Sequence, residues 1–343
     1  MATNGSSAVL RRALLYVPSS SQRMLQKSLT LKSDNVTYDL EDSVTPAAKP
    51  EARAALRKHL SSFIPNTNGS SSNGEGNATS SRPPGIRELA VRINAVSTPY
   101  ALTDLTSLAV LPSVDAIVIP KVNSASDLTF VTDTLRHLAP DRHPSTPSPS
   151  RSSPPPIKLI ALIESARAIT ELSSIVAASP YLSGLIFAAE DFALDMSLTR
   201  TPSLTEFLYA RSAIATAARA ANLVSTIDLV CTSYKGEEGM ARLETECLQG
   251  KGLGFNGKQC IHPSQVDTVQ RLFAPSEDEM NWAVRVVIAD EKAASVGRGA
   301  WTLDGAMIDV PVVGKAKAIV AKAEGCDMDV ESLRQKWKDQ EPE

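Results

Sequence analysis

Eight short apolar, β-prone segments recur along this chain, and helix-like stretches separate them almost without interruption. That alternation restricts the fold more than any other feature, because strand–helix–strand succession specifies parallel βα units and is foreign to all-β and all-α domains. Strands are expected at residues 13–17, 35–40, 88–95, 115–122, 157–164, 184–190, 225–230 and 257–261. Between them, stretches such as 47–60, 98–109 and 204–221 are amphipathic or alanine-rich. Eight such units within residues 10–275 fit a (β/α)8 TIM barrel, which typically spans about 250 residues. The alternative, a doubly wound open sheet, normally carries a glycine-rich phosphate turn after an early strand, and "VPSSSQRM" is not of the GxGxxG type.

Two segments break the rhythm. Residues 66–84 and 140–156 are rich in Ser, Asn, Gly and Pro, with too little apolar surface to offset the entropy of ordering them, and are expected to be disordered insertions. Each follows a helix and precedes a strand, which in a barrel is the face opposite the active site. Beyond the eighth unit, residues 276–343 form an expected helical extension: a long helix over 276–295, an irregular stretch containing "LDGAMID", and a final helix from about Val313.

Composition excludes several function classes. With 35 basic against 38 acidic residues the net charge is -3, and no basic stripe suited to nucleic-acid phosphates is present. No apolar run approaches the roughly 20 residues that cross a bilayer, so no membrane partner is expected. A soluble intracellular protein, of the cytosol or the mitochondrial matrix, is the expectation. Cys231, Cys247, Cys260 and Cys326 lack CxxC spacing and indicate neither zinc nor a disulfide framework. His262, followed by proline after the eighth strand, is expected to be packed or hydrogen-bonded rather than catalytic.

In a barrel the C-terminal ends of the strands converge on one mouth, and five of the eight ends here are polar. They read "DLED" (Asp39, Glu41, Asp42), "VRINA" (Arg92, Asn94), "IPKV" (Lys121), "LIES" (Glu164) and "AAEDF" (Glu190, Asp191). A single acid in such a place often caps the next helix. Several converging on one mouth repel one another unless a cation neutralises them. Oxygen ligands with no nearby His or Cys suit a hard ion such as Mg2+, which commonly takes one or two protein carboxylates. Arg92 alternates out of an apolar strand; its partner is either Glu41 or Asp42 in a structural ion pair, or a substrate carboxylate or oxyanion.

These motifs, together with "RRALLYVPSSSQRML", "DLEDSVTPAAKPEAR" and "GFNGKQCIHPSQV", run in an order that resembles the HpcH/HpaI aldolase and citrate lyase family, in its citrate lyase beta-like branch with the malyl-CoA and citramalyl-CoA lyases. The resemblance implies a TIM barrel that binds Mg2+ through Glu164 and Asp191, with Arg92 as the substrate-binding arginine and Glu41 and Asp42 lining the same site. It also implies that Tyr16 and Lys27 lie where a thioester-bearing substrate enters. The tail "GAWTLDGAMIDVP" is similar to an extension in the CoA-dependent branch, which places on Asp309 the acid that reaches a neighbouring subunit's site and implies a homo-oligomer, a trimer or hexamer. A cap for the final helix is the other expectation for Asp309.

The implied reaction is reversible cleavage of a 3-hydroxyacyl-CoA into acetyl-CoA and a 2-oxo acid, pyruvate or glyoxylate. Thioesterase or malate-synthase-like side activity follows if Asp309 activates water. Two alternatives stand beside it: a class II aldolase acting on free hydroxy-oxo acids, and a non-catalytic barrel that binds an acyl-CoA.

Overall fold

The computed structural model describes residues 9–64, 80–146, 154–295 and 297–343. The chain forms two compact units, one of Arg11–Gln270 and one containing Arg271–Glu343. In the first, eight parallel strands close into a barrel. They are β1 (Ala13–Pro18), β2 (Ser33–Asp39), β3 (Ile86–Arg92), β4 (Ala116–Ile119), β5 (Lys158–Ile163), β6 (Leu182–Phe187), β7 (Ser225–Asp228) and β8 (Gly257–Cys260). Each pairs with its sequence neighbour, and β8 closes on β1 with Leu15 opposite Cys260. Seven of the expected strands extend past their observed C-terminal ends, where the chain leaves the ladder for the mouth loops.

Strand alternation fills the interior in layers. Leu14, Ala90, Ala116, Val118, Ile160 and Ile186 belong to one buried apolar cluster, against which Tyr16 packs from the mouth side. Toward the opposite end the barrel is plugged by charge. Arg11 donates from Nε and Nη2 to Glu88 at 2.6 and 2.8 Å, and Asn35 donates to the same carboxylate at 2.7 Å. Arg11 Nη1 also reaches the hydroxyls of Ser225 and Ser183. The fit is tight at the closing seam: a Cβ on Gly257 would stand 1.9 Å from the Arg11 carbonyl oxygen, so only glycine lets β8 approach β1 here.

The edges of the two expected insertions are ordered, which corrects their boundaries. Ser80–Ser81 pairs with Phe63–Ile64, and Arg82 bonds Asp115 at 2.5 Å. Arg142, fully buried in the turn Pro140–Arg142, donates to the carbonyls of Leu111, Val114 and Pro155. An arginine that can satisfy several backbone acceptors at once orders an otherwise polar segment. The expectation of disorder for residues 66–79 and 147–153 lies outside the described residues.

The second unit holds three helices, Glu277–Ser295, Val310–Gly325 and Val330–Lys336, packed through residues such as Ala283, Val287, Trp301, Val313 and Val320. The stretch expected to be irregular contains a β-hairpin, Trp301–Leu303 with Ala306–Ile308. Its Asp304–Gly305 turn has φ of +51° and +77°, the left-handed pair that a two-residue hairpin requires. The next helix begins at Val310, earlier than expected, with Asp309 as its cap and Pro311 in its first turn, where a missing N–H costs nothing. Among the described residues no helix is long and apolar enough to cross a membrane.

Candidate active site

The mouth is assembled from the ends of β2, β3, β4 and β5 and the first turn of the helix Ala189–Asp195 that follows β6. In the β2–β3 register Asp39 stands directly opposite Arg92, both on the last residue of their strands. That register, rather than the loop beyond it, chooses the arginine's partner. Arg92 donates from Nε to Asp39 Oδ1 and from Nη2 to Asp39 Oδ2, both at 2.7 Å, a two-point grip in a buried setting. The expected pairing with Glu41 or Asp42 is therefore secondary: Arg92 Nη1 lies 3.2 Å from Glu41 and 3.4 Å from Asp42. The Tyr16 ring lies 4.7 Å below the Arg92 guanidinium, and its hydroxyl donates to Gln259 at 3.1 Å. Burial pushes the Tyr16 phenol up; the nearby Arg92 charge opposes this without cancelling it.

Asp39 also organises the "DLED" loop. Its oxygens accept the backbone N–H of Glu41 and Ser43, at 2.9 and 3.1 Å. Burial pushes its carboxyl up, but Arg92 and these N–H donors more than offset that and hold it below the usual range. From the other side Lys49, itself buried, donates to the carbonyls of Leu40 and Glu41, both at 2.9 Å. Arg53 holds Asp104 at 2.6 Å, and Asp104 in turn accepts the backbone and side-chain N–H groups of Asn94, which fixes the loop after β3.

Four further carboxylates face a common position. The Lys121 ammonium lies 3.0 Å from Glu41, 3.4 Å from Glu164, 3.4 Å from Asp191 and 3.9 Å from Asp42. Glu41 and Glu164 are buried, whereas Asp42 and Asp191 are about half exposed, with side chains 56% and 42% accessible. Burial, with Asp42 and Glu164 beside it, pushes Glu41 up to about 7 in spite of Arg92 and Lys121. Burial likewise raises Glu164, and Asp191 adds to it. Burial alone would lower the Lys121 ammonium, but Glu164 and Glu41 raise it instead. Glu41 Oε2 is buried and takes no hydrogen bond among the described residues; Arg92 Nη1, 3.2 Å away, pairs with it by charge without hydrogen-bond alignment.

The residues present fit a hard divalent cation. The donor set is oxygen alone, two acids of the cluster are raised by burial and further by a neighbouring acid, and one buried carboxylate oxygen takes no hydrogen bond. Among the described residues no three His, Cys, Asp or Glu side chains form a ready metal cage; Mg2+ commonly keeps one or two protein carboxylates and fills its other positions from substrate and water.

Of the residues singled out in the sequence, the structure brings together Tyr16, Glu41, Asp42, Arg92, Glu164 and Asp191. Lys27 is exposed on the helix Gln22–Ser28 and takes no part in this network of ion pairs. Asp309 belongs to the second unit, where its carboxylate accepts the N–H of Val312 at 3.2 Å as a helix cap. His262 likewise caps a short turn through Ser264 and stacks on Tyr234. The sequence marked Lys121 only as a polar strand end at the mouth, without a role, and gave no part to Asp39 as the arginine's main partner or to Lys49. The signal for Lys49 was present, a lysine in the same motif as the acids, but nothing in the sequence said that it folds back onto their carbonyls.

Comparison with known proteins shows the family and the fold. Residues 12–71 and 81–263 match the profile of the family described as HpcH/HpaI aldolase/citrate lyase. The chain is 33% identical over 314 residues to the citrate lyase subunit beta of Leuconostoc mesenteroides subsp. cremoris, covering 92% of this chain and 93% of that protein. It is 31% identical over 327 residues to the mitochondrial citramalyl-CoA lyase of Rattus norvegicus, covering 92% of this chain and 86% of that one. The solved structure of the protein CitE from Mycobacterium tuberculosis, in complex with magnesium, acetoacetate and coenzyme A, superposes with a TM-score of 0.66 at 27% identity, covering 93% of this chain and all of that one.

Proposed function

Because the chain belongs to the HpcH/HpaI aldolase/citrate lyase family, we propose that it is a carbon–carbon lyase that cleaves a 3-hydroxyacyl-CoA, of the citramalyl-CoA or malyl-CoA class, reversibly into acetyl-CoA and a 2-oxo acid. The observation that carries the proposal is the convergence of Glu41, Asp42, Glu164 and Asp191 on one position beside Arg92, at the barrel mouth. Glu164 and Asp191 would hold Mg2+, which when bound supplies Lewis-acid polarisation of the substrate's hydroxyl and carbonyl oxygens.

The protein's own groups do the rest. With Nε and Nη2 spent on Asp39, Arg92 keeps Nη1 as the edge that turns from the acids to a substrate carboxylate or a developing oxyanion. Glu41, raised to about 7, is placed to take the hydroxyl proton near neutral pH and return it. Tyr16 supports the guanidinium from below and keeps that face dry. The thioester end would enter past Tyr16 and Lys27. Asp309 would act in the site of a second copy, within a homo-oligomer of three or six chains. A location in the cytosol or the mitochondrial matrix completes the proposal.

The test is acetyl-CoA release from citramalyl-CoA and malyl-CoA, with Mg2+ and with EDTA. Release should require the metal and disappear in Glu164→Ala and Asp191→Ala. Full activity in either variant refutes the metal ligands. Turnover of free hydroxy-oxo acids in place of thioesters would make the protein an aldolase, and Mg2+ binding without turnover of either would make it a binding barrel.

A further inference from the structure

Lys121 reaches the acid cluster by an unusual backbone. Its φ is +52°, the left-handed region that a residue with a Cβ enters only against a steric penalty. The consequence is local and specific. With that turn, the Lys121 N–H donates to Glu164 Oε1 at 3.1 Å while its ammonium approaches Glu164 Oε2 at 3.4 Å. One residue therefore engages both oxygens of a carboxylate that the metal proposal requires.

The ammonium is shared among the acids. Its contacts of 3.0, 3.4, 3.4 and 3.9 Å to Glu41, Glu164, Asp191 and Asp42 come from three separate segments of the chain, Glu41 and Asp42 being neighbours in one loop. Such a position is that of a small cation surrounded by oxygen donors, and three N–H groups on a flexible stem can imitate one. The mouth still lacks positive charge. Five carboxylates, with Asp39 included, face the two cations Arg92 and Lys121.

We propose that the Lys121 ammonium is the built-in counter-cation of the metal-free site, occupying the seat a divalent cation takes, so that the two exclude each other. An ammonium and a divalent ion bound by the same oxygens would repel at short range, in a setting where water screens poorly. Lys121 must then swing toward solvent, which its side chain, 40% accessible, is free to do. The proposal rests on the metal site described above. It assigns Lys121 a positioning role: holding the carboxylates in place without the ion and setting the threshold concentration at which the ion enters.

The experiment is calorimetric titration of MgCl2 into metal-stripped wild type, Lys121→Met, Lys121→Arg and Glu164→Ala at one ionic strength, with melting temperatures in EDTA and in saturating Mg2+. Removing a competitor raises the fraction of binding-competent sites, so Lys121→Met should bind Mg2+ at least about tenfold more tightly than wild type. In EDTA it should melt below wild type, and Mg2+ should raise its melting temperature by more. Lys121→Arg, which keeps the charge, should stay near the wild-type affinity. If Lys121→Met fails to fold, Lys121→Gln takes its place. Equal or weaker affinity in the uncharged variant, with binding lost in Glu164→Ala, overturns this proposal and leaves the metal site standing. If neither wild type nor the uncharged variant binds Mg2+, the metal site falls and this proposal falls with it.

Discussion

Replacing Asp39 by Asn exchanges one carboxylate oxygen for an NH2 group, and the cost can be worked from the geometry. Asp39 is one per cent exposed, and its oxygens accept four N–H groups, two from Arg92 and one each from Glu41 and Ser43. An amide in the same place keeps one acceptor oxygen. Its NH2 group must face one of the two donor pairs, Arg92 Nε with Glu41 N or Arg92 Nη2 with Ser43 N, so two of the four bonds are lost in either orientation. Arg92 also loses its buried counter-ion. Breaking a buried pair from one side costs roughly 3–5 kcal/mol. Because Glu41 and Asp42 still stand within 3.4 Å of Nη1, we expect the lower end, about 3 kcal/mol. Urea unfolding at pH 7 of wild type, Asp39→Asn, Arg92→Met and the double variant measures both the loss and the coupling. A coupling of about 2 kcal/mol is expected, since the double variant no longer leaves a charge unpaired. A single-variant loss below about 0.5 kcal/mol, or an additive cycle, would refute the assignment of Asp39 as the partner that holds Arg92.

Other consequences are simpler to state. At the plugged end of the barrel, burial pushes Glu88 up, but Arg11, Lys158 and Asn35 bring it down from 4.5 to about 2. Its folded-state value is depressed, so its contribution is complete above about pH 4.5 and fades as pH falls toward 2; the size is on the order of 3 kcal/mol. Stability measured from pH 6 to pH 3 should fall less steeply in Glu88→Gln than in wild type. Lys49→Met removes two charged hydrogen bonds from beneath the "DLED" loop and should cost about 2 kcal/mol in unfolding free energy and lower kcat/KM with it. Gly257→Ala drives a Cβ into the Arg11 carbonyl and should leave no soluble barrel, whereas Gly314→Ala, with nothing near its Cβ and in a helix, should stabilise by about 1 kcal/mol in thermal unfolding.

Much of this architecture is legible in the sequence because period and burial agree. Segments such as Leu159–Ile163 and Leu185–Phe187 are apolar throughout, as strands buried on both faces must be, and their spacing fixes their number and order. The mouth acids are legible from their place just beyond apolar strands, although Glu190 of the same motif as Asp191 turns instead to Arg200. What the sequence withholds depends on register and on single dihedral angles. Asp39 and Arg92 meet because two strands 50 residues apart align at their last residues, and no local pattern encodes that alignment. Lys121 enters the cluster through a left-handed turn without a glycine to announce it. Arg82 and Arg142 order the edges of polar segments through carbonyls far away in the chain, so composition alone misplaces those edges. The hairpin in the second unit is the reverse case, since Asp-Gly between apolar residues is a hairpin signal and it was there to be used.

Closure of β8 on β1 brings together residues some 240 positions apart, and the bond from Tyr16 to Gln259 crosses that same seam. During synthesis the first strand therefore waits, with an open edge, until nearly the whole barrel has emerged. The guanidinium of Arg92 rests on Tyr16, and the Tyr16 hydroxyl takes its hydrogen bond across that last seam, so a shortened chain would expose its earliest strand to unwanted pairing and leave the floor of its active site without that tie.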